Sequence, residues 1–160
     1  MTSRITTSIA LIAVLVIGFP VLVAPQAVTS TTNDSVPFNA TFFVPCAADG
    51  AGELVALSGD LHVLLHATTN DTGGTSIKTH FQPQGISGVG LTTGDTYRGT
   101  GVTQQHESNT GADEFTFVNN VNLLAPGPGN NLLVHQPIHV TISANGELTS
   151  LVANNNVDCR

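Results

Sequence analysis

From residue 42 onward, hydrophobic and polar positions alternate in short runs, and clusters of Gly, Asn, Asp and Pro separate the runs. A period of two is the mark of strands with one buried face, and no stretch carries the longer recurrence of an amphipathic helix. The pattern predicts strands over 40–45, 53–68, 75–82, 85–93, 96–105, 113–124, 131–143 and 147–158. Between them lie Asn70 to Gly74, Pro83-Gln84, Thr93-Gly94-Asp95, Glu107 to Ala112, Pro126 to Asn130 and Ala144-Asn145-Gly146. Each of these contains residues that tolerate the backbone angles of a turn.

Connections this short join antiparallel neighbours, so the expected fold is all-β, an antiparallel meander of about eight strands. Closure into an up-and-down, calycin-like β-barrel removes the exposed edges and is the preferred arrangement, with a β-sandwich as the alternative. Glycine is concentrated between Gly85 and Gly101, where it predicts bulges and bends and a wall poor in side chains.

The alternation also assigns faces. Leu61, Val63, Leu65 and Ala67 fall opposite His62, Leu64 and His66, while Ile77 and Phe81 fall opposite Lys78, His80 and Gln82. Pairing Thr69 with Thr75 sets Leu64 against His80 and places His80 diagonally between His62 and His66. In the hairpin 113–124/131–143, Phe115, Phe117, Val121 and Leu123 meet Leu132, Val134, Ile138, Val140 and Ile142, with His135 and His139 on the other face. A centred connection sets Asn119 opposite Gln136, two amides within an apolar stripe.

The N-terminal segment reads as an address. A cationic start at Arg4 precedes an almost continuously apolar stretch over Ile5 to Ala24, the layout of a secretory signal peptide over residues 1–27. An uncleaved segment would instead anchor the chain in a membrane. Residues 28–41, rich in Thr, Ser and Asn, read as a flexible leader, and residues 42–160 as a single β domain. Eleven acidic side chains against four basic ones give a net charge of −7. That leaves no basic patch for a phosphate backbone, and nucleic acid is not an expected partner. The two cysteines, Cys46 and Cys159, bracket nearly the whole domain, and in an exported chain they are expected to pair.

Catalytic signatures are missing. Gly85-Ile86-Ser87-Gly88 is a residue short of a nucleophile elbow, and Gly99-Thr100-Gly101 is too short for a dinucleotide loop. Asp113 and Glu114 point to opposite faces of a strand. No catalytic residue and no cofactor is expected. The six histidines give a candidate metal face at His62, His66 and His80. Four residues along a strand span about 13 Å, so a metal would have to bridge neighbouring strands. Asn119, Gln136, Tyr97 and Arg98 are the candidate ligand-binding residues, because a buried amide requires a partner that a ligand can supply.

The first-ranked expectation is a secreted, non-enzymatic binding module for a small apolar ligand held inside a barrel. The alternatives are a histidine-lined metal-binding surface protein and a structural or cell-surface interaction protein without a ligand. The run Leu57-Ser58-Gly59-Asp60-Leu61-His62, the segment Gly85 to Gly94 with Tyr97-Arg98, Asn130 to His135 and the terminal Cys159-Arg160 resemble a group of small exported bacterial β-proteins of uncharacterised function. That resemblance spans residues 53–160 and implies export and a single domain, with no activity attached.

Overall fold

In a computed structural model, residues 26–127 and 130–160 are described. The expected signal peptide therefore lies almost wholly outside the described residues. Among those residues no helix is long and apolar enough to cross a membrane. The chain forms β1 (Val28–Val44), a short 3₁₀ turn (Ala48–Gly50), β2 (Glu53–Thr69), β3 (Thr75–Gly90), β4 (Thr96–Ser108), β5 (Asp113–Leu124), β6 (Leu132–Ile142), β7 (Leu148–Ala153) and β8 (Asn156–Cys159). All pairings are antiparallel, in the order β1 to β7 with β8 also on β6, so the fold is an all-β meander of eight strands. Among the described residues the hydrogen-bonded path does not close.

Both predicted hairpin registers are present. Thr69 pairs with Thr75 and Leu64 with His80, and Asn119 pairs with Gln136. Three expectations are corrected. Residues 28–41 are not a flexible leader but most of β1, which pairs with the whole of β2. The Thr and Val content suits an extended backbone, and polar side chains pair across the strands: Thr29 Oγ1 with Thr68 Oγ1 at 3.2 Å, Thr31 Oγ1 with His66 Nδ1 at 3.0 Å. Pro83-Gln84 is not a turn. The chain passes straight through as β3, and Pro83, which has no N–H, falls where β3 and β4 are unpaired, between Phe81 and Ser87. The predicted last strand divides into β7 and β8.

The two ends of the sheet meet at one place. Cys46, just past β1, is bonded to Cys159 at the end of β8, with a Cα–Cα distance of 5.4 Å. Reciprocal backbone bonds of 2.9 Å between Asn131 and Arg160 hold that end of β8 against the start of β6. The sheet therefore curls, and the face carrying Leu57, Ile86, Val121 and Val134 becomes its concave side. The buried core is gathered at the disulfide end, where Val44, Ala47 and Val55 are wholly buried and Tyr97 is 1% exposed. The opposite end, where β1 begins and β2 turns into β3, contributes little to that core.

Candidate functional site

Three layers stack along the concave face. The lowest is a plug at the disulfide end. Glu53 opens β2 in the same alternating set as Val55 and Leu57, so its carboxylate is carried inward and is 3% exposed. It accepts the Thr92 and Thr93 backbone N–H groups at 3.0 Å each, the Thr93 hydroxyl at 2.8 Å and the Tyr97 hydroxyl at 3.1 Å. The Thr93 N–H above all holds the Glu53 carboxyl below its ordinary value, against the opposing effect of burial. Burial first, then the bond to Glu53 and the nearby carboxylate charges, pushes the Tyr97 hydroxyl up to about 12. Gly90 makes room for this arrangement, since a Cβ there would lie 2.3 Å from Glu53 Oε1.

Above the plug is a hollow of about 640 Å³. β1 contributes Phe38 and Phe42, whose rings stack 6.3 Å apart, β2 Leu57 and Leu61, β3 Phe81 and Ile86, β5 Val121 and Leu123, β6 Leu132 and Val134, and β8 Val157. Among the described residues the only polar side chains in its wall are Thr103 and Asn119, which face each other on β4 and β5. Thr103 Oγ1 donates to Asn119 Oδ1 at 2.7 Å. Phe42 and Val157, 47% and 45% exposed, sit on strands at the two ends of the sheet, so the hollow opens toward the seam between them.

Farther up, the cross-strand row Thr79, Gln105, Phe117 and Ile138 separates this hollow from a cleft of about 310 Å³. Ile77, Phe115, Val140 and Ile142 line that cleft together with Glu107, Asp113 and Glu114. This upper mouth is acidic.

The structure treats the candidate ligand-binding residues unequally. Asn119 lines the hollow, but its bonded partner is Thr103 rather than Gln136, which is half-buried opposite it and outside the wall. Tyr97 is committed to the plug, and Arg98 is exposed beside Leu124 on the convex side. The glycine-rich segment does not leave one wall bare, because Glu53 fills the space over Gly90 and Ile86 the space over Gly99.

The histidines lie on the convex face, as the alternation requires. His62 Nε2 donates to Asn33 Oδ1 at 2.5 Å, and His66 is bonded to Thr31. His80 shares a shallow cleft with Lys78, Gln104 and His106, where an ammonium group opposes binding of a metal cation. Among the described residues no three His, Cys, Asp or Glu side chains are grouped to hold a metal ion, so His62, His66 and His80 are not brought together as ligands.

Glu53 was not among the sequence candidates. Its signal is a lone carboxylate in phase with the buried positions Val55 and Leu57.

Fold and site together define an all-β meander curled around an apolar hollow, with its buried charge confined to the plug beneath. No protein-family model matches the chain, and neither curated proteins nor solved structures show a match to it.

Proposed function

We propose that this chain is a non-enzymatic binding protein that holds one small apolar molecule in the concave hollow and works in an oxidising, extracytoplasmic setting. The observation that carries the reading is the hollow itself. Its volume of about 640 Å³ lies in the range of small-molecule sites, roughly 300–1,000 Å³, and like them it joins an apolar wall to one polar pair. The convex face carries His62, His66, Lys78, His80 and His135, groups suited to water and not to hydrocarbon. The Cys46–Cys159 bond supports the compartment, because disulfides persist where the surroundings are oxidising.

The test is titration with the neutral fluorophore N-phenyl-1-naphthylamine. Saturable binding at one site is expected, and Val121→Trp, which projects an indole into the hollow, should weaken it strongly. Tyr97 is the one tyrosine of the chain, so its ring proton resonances report whether the plug survives in each variant. Unchanged binding in a folded Val121→Trp protein would remove the hollow as the site.

A further inference from the structure

Resting on that reading, we infer that the hollow selects uncharged apolar molecules bearing a hydrogen-bond acceptor oxygen, such as an ester or ketone, and rejects carboxylates of the same chain length. Among the described residues no Lys, Arg or His lines the wall, so an ionised head group drawn inside would lose its hydration without gaining a counter-charge. The acidic mouth built by Glu107 and Asp113 lies on the same concave face, and its charges repel an approaching anion.

The polar pair sets the second half of the selection. Because the Thr103 hydroxyl spends its proton on Asn119 Oδ1, the carboxamide is oriented and its Nδ2 group is left as the free donor. Nδ2 makes no hydrogen bond to the protein among the described residues. An ester or ketone oxygen accepts from it, whereas an alkane leaves it without a partner in an apolar wall.

Methyl laurate, laurate and dodecane, each displacing N-phenyl-1-naphthylamine from protein recovered after expression of the full chain, test the inference. At pH about 8, where a carboxylic acid is ionised, methyl laurate should displace the probe at a concentration about fivefold or more below that of laurate or dodecane, the factor that one hydrogen bond supplies. Asn119→Leu should erase the preference for methyl laurate over dodecane. Lowering the pH of the wild-type protein toward the range of the fatty carboxyl should strengthen laurate binding and leave methyl laurate unchanged, an arm that needs no variant to fold. Laurate binding as tightly as its ester at pH about 8, or an ester preference that survives Asn119→Leu, overturns the inference while leaving the binding reading intact. Failure of the probe and of all three compounds to bind overturns both.

Discussion

The two ends of this sheet are built on different principles. At the fastened end a disulfide, a carboxylate accepting four hydrogen bonds and the wholly buried side chains Val44, Ala47 and Val55 lock the strands together. At the open end, paired backbone runs between exposed polar side chains such as Thr29, Thr31, His66 and Thr68. Backbone pairing alone makes a sheet, but apolar burial and satisfied buried charge give it a fixed shape. The hollow lies directly above the fastened end, so its wall is held where the fold is most constrained, while its opening faces the seam where pairing stops.

Breaking the disulfide should separate the two ends most clearly. The bond closes a separation of 113 residues, and in the chain-entropy model a loop of this size contributes about 4–5 kcal/mol. Urea denaturation of a Cys46→Ala/Cys159→Ala variant should show a loss of that order, and an unchanged midpoint would mean that the curl holds itself. The next largest effect is expected for Tyr97→Phe, which removes a buried hydrogen bond to a carboxylate and should cost about 1.5–3 kcal/mol.

The plug also sets the pH limits of stability. Glu53 is held below its ordinary value of 4.5, so its contribution is present above that value and is lost as pH falls through the lower value of the folded protein. Tyr97 is raised from 10 to about 12, so its contribution is complete below pH 10 and is lost as pH rises toward 12. Thermal melting against pH should show both flanks. Tyr97→Phe should flatten the alkaline flank, and an alkaline flank that persists in that variant would detach it from the phenol. The smallest change is expected at the open end: His66→Ala, which removes an exposed bond to Thr31, should move stability by no more than about 0.5 kcal/mol. A loss as large as that of Tyr97→Phe would erase the contrast between the ends.

Much of this architecture is legible in the residues. Alternation alone sorts Leu61, Val63 and Leu65 from His62 and His66, and the short connections then set Thr69 against Thr75 and Asn119 against Gln136. What escapes is wherever the local signal and the tertiary setting disagree. β1 lacks apolar alternation over its first half because polar cross-strand pairs replace burial there, so it reads as a leader. Pro83 reads as a turn because its tolerance depends on a gap in β3–β4 pairing that no local window contains. The polar partner of Asn119 comes from β4 rather than β6, since Thr103 and Gln136 both lie directly opposite it and only side-chain reach decides between them.

The most direct test is to locate the ligand. Nuclear Overhauser contacts between bound methyl laurate and protein methyl groups should fall on Leu57, Val121, Leu123 and Val134, with the ester end nearest Asn119. Contacts confined to Ile77, Val140 and Ile142 would place the molecule in the upper cleft instead, and would contradict the claim that the wall above the fastened end is the binding site.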